Sequence, residues 1–370
     1  MSLDERTTTT SAPPAAQAFA GAARAQHYRE PSVPEPARVE DAAPTVESDA
    51  TPPPMSPSGL GADLGRIATH AATSSAGRGW RGRLSKLGLH VPPSAAETQA
   101  ASAAVERNEH ERVIRQTTWT RAVSVLVANP KGGVGKTPTA LILGGVLAAI
   151  RGGSVCVMEV SDDPGALTFR SEGTPNLGIG ELVRDAAGVR SAGQLAGYTA
   201  PQTSFAAVLG TVGTREQLTA NDVIALSTLV DDYYAIRVMD SGNQPSSSAF
   251  QGAVETADLL VIPILNAGDA ALEAIGLISK LRAMGGKAAY IADRAIIVRS
   301  SDGRPENANI VDKVEQVLAE AGVSEVHTIP YDAHIAERGE ITLDNLKSAT
   351  RDAFTAAAAA VIRSLQTTAR

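Results

Sequence analysis

Between Val123 and Ile150 the apolar run VSVLVA gives way to NPKGGVGKTP and then to the Ala/Leu-rich segment TALILGGVLAAI. Three glycines and two lysines crowd into the six residues Lys131 to Lys136, a composition that belongs to a turn and not to the interior of a strand or helix. The pattern predicts a strand over Val123–Ala128, a glycine-rich turn, and a helix over Lys136–Ile150 stopped by Gly152 and Gly153.

The rest of the chain repeats this alternation. Val155–Val160, YAIRVMD, ADLLVIPI and RAIIVRS are strand-like, and GDAALEAIGLISKLRAMG is helical between the last two. In NANIVDKVEQVLAEAG, Ile310, Val314, Val317 and Ala321 fall on one helical face, with Gly322 as the stop. Near-continuous apolar strands separated by amphipathic helices predict an α/β class: a mainly parallel sheet flanked by helices on both faces, over residues 122–366. The Ala-rich segment LKSATRDAFTAAAAAVIRSL predicts a closing helix that packs tightly on that sheet.

The N-terminal part has a different character. Ten of the 21 prolines precede residue 60, in a stretch of Ala, Ser, Thr and Pro with few large apolar residues, so residues 1–76 are expected to form a disordered tail. The net charge of -7 is unevenly spread: residues 78–121 carry eight Lys/Arg against four Glu, a basic island between an acidic tail and an acidic core. Within it, GRGWRGRLSKLGLHV interleaves Arg78, Arg81, Arg83 and Lys86 with Trp80, Leu84, Leu87 and Leu89. At residues 78–90 this is either a basic amphipathic foot for weak contact with anionic membrane, nucleic acid or an acidic partner, or a linker packed on the main domain. PPSAAETQAASAAVERNEHERVIRQ then predicts a helix entered through Pro92 and Pro93, so that residues 77–121 form a basic element and helical linker.

A single cysteine, Cys156, excludes an intrachain disulfide and suits a reducing cytosol; in SVCVMEV it is expected to be a small buried hydrophobe. The six histidines lack ligand spacing, so no His/Cys metal site is expected. No apolar run reaches the roughly 18 residues of a membrane span, and MSLDERTTTT lacks the basic and apolar regions of a signal peptide, so a cytoplasmic chain is expected.

A strand, a glycine-rich turn and a helix opening at Gly-Lys-Thr form a phosphate cradle. In that arrangement Gly132, Gly133, Val134 and Gly135 turn backbone N–H groups toward phosphate oxygens, and the helix N-terminus adds unpaired donors. Lys136 would neutralise the β and γ phosphates, and Thr137 would place its hydroxyl on magnesium.

Pro130 stands where the usual G-x-x-x-x-G-K-[ST] pattern has its first glycine, and the chain reads KGGVGKT from Lys131 to Thr137, with an extra lysine in front. In this deviant form the sequence resembles the MinD/ParA family of P-loop ATPases. YYAIRVMDSGNQPSSSAFQGAVETADLLVIPI is similar to the family's second metal-binding strand, and AIIVRSSDGRP and IPYDAHIAERGEI to its two base-side segments. The resemblance, over residues 122–365, implies a P-loop NTPase fold, ATP and Mg2+ as ligands, and hydrolysis to ADP and phosphate. It also implies an ATP-dependent homodimer in which Lys131 reaches the nucleotide of the partner subunit. Asp240 would hold magnesium through water, and Arg299, Pro330 and Asp332 would line the adenine.

Two departures from the family bear on this expectation. Pro138 replaces a residue whose N–H would face the α-phosphate, so one hydrogen bond to nucleotide should be lost while the first helical turn survives. The family's Asp-x-Asp-Pro, whose second Asp orients the attacking water, is here EVSDDPG. Without a gap Ser161 takes that place; with one inserted residue Asp163 does, and Asp162 is near enough to supply a carboxylate from a shifted loop. Hydrolysis is therefore expected to be slow and stimulated by a partner.

Family members use ATP to dimerise on a surface or cargo and hydrolysis to leave it. The resemblance implies a switch that positions or segregates cargo, as in plasmid or chromosome partitioning with non-specific DNA and a centromere-binding partner. Lys280, Arg282 and Lys287 are the local basic residues for such DNA contact on an otherwise acidic core. The tail and GWRGRLSKLG look like the actinobacterial MinD-like group, some of it associated with type VII secretion, which makes a secretion-system component the alternative partner and the nucleoid or membrane the alternative place. A scaffold that binds ATP and scarcely hydrolyses it is the third reading, motivated by Ser161.

Overall fold

The computed structural model describes residues 94–368. The expected tail over 1–76 and the basic amphipathic element at 78–90 lie outside the described residues.

Eight strands form one sheet: β1 Val123–Val127, β2 Val155–Val160, β3 Ala200–Pro201, β4 Ala207–Leu209, β5 Ile236–Ser241, β6 Leu259–Leu265, β7 Ile296–Ser300 and β8 Glu325–Ile329. Their order is β3-β4-β2-β5-β1-β6-β7-β8, and every pairing is parallel except the short β3–β4 hairpin. The helices in chain order are α1 Ala95–Gln116, α2 Lys136–Arg151, α3 Leu167–Arg170, α4 Ile179–Asp185, α5 Ala192–Ala196, α6 Ala220–Asp231 and α7 Ser248–Thr256. They continue as α8 Gly268–Met284, α9 Gly286–Asp293, α10 Ala308–Glu320, α11 Ala333–Ala336 and α12 Ser348–Thr368.

Strand periodicity sorts the core into two layers. From β1, Val123, Val125 and Val127 face α2 and α12, whereas Leu126 faces the opposite layer of α6 to α10. Both layers are apolar, so the central strands are near-continuously hydrophobic, as the sequence predicts, with Ser124, Glu159, Arg237 and Asp240 among the buried polar exceptions. Cys156 is buried, and that burial pushes its thiol up to about 12. α2 crosses the sheet closely: a methyl at Gly144 would lie 2.4 Å from Val157 Cγ2. Gly152, at φ 78°, ends α2 with its N–H on Ala148 O at 2.8 Å.

Two arginines anchor the strands. Arg121 pairs with Asp258 through both nitrogens, at 2.9 and 2.8 Å, and Asp258 Oδ2 accepts from Ser124 N at 2.9 Å, which fixes the start of β1 against β6. Arg237, in the middle of β5, is buried and spends its guanidinium on Asp231, on Ser227 O at 2.9 Å and on Thr256 O at 3.2 Å, pinning α6 and α7 to the strand.

α1 starts after Ser94, whose side chain and Glu97 form a reciprocal cap, while Pro92 and Pro93 lie outside the described residues. Its C-terminal part packs on the domain, with Ile114 fully buried and Arg107 paired to Asp352 of α12 at 2.9 Å. The expected apolar face of α10 is corrected: Val314 and Leu318 are buried, whereas Ile310, in the first turn, is 45% exposed.

Candidate functional site

The C-terminal ends of β1, β2 and β5 meet at one edge, since Val127 and Glu159 are both in register with Asp240. In an open parallel sheet this edge is where ligands collect. A cavity of about 760 Å³ opens there, lined by Gly133 to Thr139, by Glu159, Ser161 and Arg170, by Asp240 to Asn243, and by Pro330 and Arg338 among others.

The loop entering α2 is held from below. Asn129, buried at the end of β1, donates through Nδ2 to Pro263 O (2.9 Å) and accepts from Lys131 N (2.9 Å). Gly133 and Gly135 have φ of 78° and 92°, values that side chains rarely adopt, and a methyl built on either would project into open space where a ligand would sit. The first i→i−4 bond of α2 is Thr139 N to Gly135 O at 2.9 Å, so the preceding N–H groups have no helical partner and remain for a ligand. Pro138 falls within that unpartnered turn. It therefore costs the helix no hydrogen bond but removes one donor from the set lining the cavity.

Lys136 is buried at the floor of the loop. Its ammonium donates to Asn243 Oδ1 and to Lys131 O at 3.3 Å, and burial holds it below the ordinary lysine value against the pull of Asp240. Lys131 turns the other way: its Nζ lies 2.6 Å from Asp269 Oδ2 at the start of α8, and neither Lys131 nor Gly132 lines the cavity.

Thr137 Oγ1 donates to Asp240 Oδ2 at 2.7 Å, whereas Asp240 Oδ1 is buried without a partner. Burial, followed by the nearby Glu159 charge, pushes the Asp240 carboxyl up to about 7 against the Thr137 hydrogen bond. A buried, orphaned carboxylate oxygen beside a hydroxyl, next to a phosphate-sized cradle, is a hard-oxygen donor set of the kind that suits magnesium shared with phosphate.

The acidic loop after β2 separates the three candidates. Ser161 is buried, and its hydroxyl donates to Asp163 O (2.6 Å) with Glu159 Oε1 at 3.2 Å. Asp163 Oδ1 accepts from Gln217 Nε2 at 2.9 Å. Asp162 points to the loop after β5: a methyl on Gly242 would come within 3.2 Å of its Oδ1. Glu159, the first acid of the pattern, is not free, since it accepts from Thr211 Oγ1 at 2.5 Å, Arg215 Nη2 at 2.8 Å and Gly165 N at 3.1 Å.

On the base side the outcome is mixed. Pro330 and Asp332 line the cavity, but both Asp332 oxygens are taken by backbone amides, His334 N at 3.0 Å and Lys347 N at 2.9 Å. Arg299 is not brought to the cavity. Its guanidinium turns to Glu315 of α10 (2.7 Å) and across to Thr328 of β8 (3.0 Å), and its neighbours Ser300 to Asp302 and Arg304 line the space instead. Sequence reasoning missed Asn243, Arg170 and Arg338. Asn243 could have been found from its place three residues after Asp240; the other two are set by the loop 335–341, where Arg338 adopts a φ of 58°.

Comparison with known proteins agrees with this geometry. Residues 125–342 match the CobQ/CobB/MinD/ParA nucleotide binding domain. The fold is similar to that of a ParA family ATPase from Chlorobium tepidum TLS, at 17% identity and a TM-score of 0.54, covering 64% of this chain and 98% of that one. A MinD cell division protein from Aquifex aeolicus matches at 19% identity and a TM-score of 0.47, covering 65% of this chain and 97% of that one. A cobyrinic acid a,c-diamide synthase from Mycobacterium smegmatis, with bound ATP analogue and magnesium, matches at 17% and 0.45, covering 66% and 96%. No curated protein matches the sequence. With more than half of its length matched and the phosphate loop, Asp240 and the parallel sheet in their places, the chain belongs to the CobQ/CobB/MinD/ParA nucleotide-binding family.

Proposed function

We propose that the protein binds ATP with magnesium and hydrolyses it slowly, as a nucleotide-dependent homodimer that positions or segregates a cargo. The observation that carries this reading is the meeting at one sheet edge of the Gly133–Thr137 cradle, the buried Lys136 and the Thr137–Asp240 pair with its unpartnered oxygen. Bound magnesium would supply charge neutralisation to the triphosphate, held from the protein side by Thr137 and Asp240.

The chain's own residues divide the remaining work. Backbone amides of the loop and Lys136 orient the phosphates. Asp162, the carboxylate of its loop that faces the loop after Asp240, is the group assigned to orient water. Lys131 is assigned to the partner subunit's nucleotide, a role that requires it to leave Asp269.

Partitioning is favoured by the kinship of the domain, with DNA or a DNA-bound partner as the surface. Of the basic residues on the core, Arg282 is already paired to Asp293 at 2.7 Å, which leaves Lys280 and Lys287 for DNA. No helix among the described residues is long and apolar enough to cross a membrane. A second reading, a scaffold that binds ATP without appreciable turnover, rests on the engaged hydroxyl of Ser161 where the family carries an acid. Phosphate release decides between them: turnover above that of a Lys136→Ala control supports the ATPase, and turnover equal to it supports the scaffold. DNA co-sedimentation that requires ATP tests the partitioning role.

A further inference from the structure

The loop after β2 that carries the acidic residues is held by a side chain that no motif includes. Arg215 lies between β4 and α6, its side chain 1% exposed. Its Nη2 reaches Glu159 Oε1 at 2.8 Å, Ser161 O at 2.9 Å and Asp163 O at 2.9 Å; its Nη1 reaches Asp162 O at 2.7 Å and Glu216 O at 3.0 Å; its Nε reaches Thr211 Oγ1 at 2.8 Å. Three consecutive carbonyls, those of residues 161, 162 and 163, therefore converge on one guanidinium. A peptide run that turns three carbonyls inward must present its side chains elsewhere, and the Asp162 carboxylate, beside Ser161 Cβ, then lies against Gly242.

The anchor is built from both sides. Glu159 fixes the guanidinium at the end of β2, and Gly180 leaves room for the stem, since a methyl there would meet Arg215 Cβ at 2.8 Å. Arginine suits this place because its planar fork carries five donors in fixed directions; a lysine would keep the charge opposite Glu159 but could not span three carbonyls.

We infer that Arg215 is a positioning residue of the acidic loop, holding Ser161–Asp163 so that the Asp162 carboxylate stays against Gly242, whose loop lines the cavity. The inference rests on the ATPase reading only for its kinetic consequence; the hold on the loop exists without nucleotide.

The test uses Arg215→Lys in the full-length protein, with Asp162→Asn and the double variant. In the absence of nucleotide, hydrogen exchange of the 161–165 amides should rise in Arg215→Lys while that of α2 stays unchanged. With MgATP, kcat should fall about tenfold to a hundredfold with KM within about twofold, the scale of a misplaced catalytic group. In the Asp162→Asn background the same substitution should cost nothing further, because the group it positions is gone. Unchanged loop exchange, or a loss of kcat that multiplies with that of Asp162→Asn, overturns the inference. If the wild type turns over no faster than Lys136→Ala, the ATPase reading fails instead, and the exchange result alone decides the role of Arg215. Should Arg215→Lys not fold, Gly180→Ala displaces the same stem with the charge intact and is read by the same exchange measurement, with the same two outcomes.

Discussion

Lys131 and Asp269 form an ion pair at the protein surface, Nζ to Oδ2 2.6 Å apart, that links the front of the phosphate loop to the first turn of α8 in the same chain. The hydrogen bond holds the lysine above its ordinary value and the carboxyl below the usual carboxylate range. If Lys131 serves the partner subunit's nucleotide, this contact must open first, so it opposes dimerisation. Asp269→Asn should lower the protein concentration needed for ATP-dependent dimers by about two- to fivefold, the scale of one exposed ion pair, and the difference should shrink in high salt. Sedimentation equilibrium with MgATP measures it.

Pro138 removes a donor from the unpartnered first turn of α2. Pro138→Thr restores that donor. A hydrogen bond to a charged group is worth about 1.5 to 3 kcal/mol net, so nucleotide should bind about tenfold or more tightly, with the gain shared by ATP and ADP because both carry the α-phosphate. Fluorescent-nucleotide titration checks this.

The packing of α2 on the sheet gives a prediction about stability. A methyl at position 144 would come 2.4 Å from Cγ2 of the fully buried Val157, a β-branched side chain that is stiff at χ1. Gly144→Ala should destabilise the domain by about 1 to 3 kcal/mol, seen as a lower midpoint in urea with an unchanged slope.

Much of this was legible in the sequence, for physical reasons. The central strands are near-continuously apolar because helices cover both faces, and the phosphate loop is a contiguous string of glycines and lysines that the sequence displays directly. β8 was not legible, because as an edge strand it is mostly exposed and carries Glu325 and His327. α6 was missed although Thr219 and Asp222 form a reciprocal cap at its start, a signal that the sequence does carry. Arg299 was assigned by its place in a segment, yet successive strand residues point to opposite faces, and its side chain pairs with Glu315 instead of lining the cavity. Arg215 could not be read at all: it sits in a loop without periodicity, and its role depends on carbonyls more than fifty residues earlier.

The raised Asp240 carboxyl makes stability depend on pH. In the folded, nucleotide-free protein it keeps its proton up to about pH 7, whereas in the unfolded chain it loses it near 3.8. Its contribution is thus fully present below pH 4 and is lost as pH rises through 7. The thermal midpoint of wild type should fall over that window relative to that of Asp240→Asn, which lacks the titrating group. Differential scanning calorimetry in a pH series checks the sign.

In the proposed function the cradle from Gly133 to Thr137 and the Asp240 carboxylate together hold a magnesium nucleotide. Titration calorimetry of ATP into wild type and Asp240→Asn, with magnesium and then with EDTA, measures this. We expect wild type to bind at least tenfold more tightly with magnesium than without, and the variant to lose that difference while keeping its metal-free affinity. Wild-type affinity that is absent, or that is the same with and without magnesium, would contradict it.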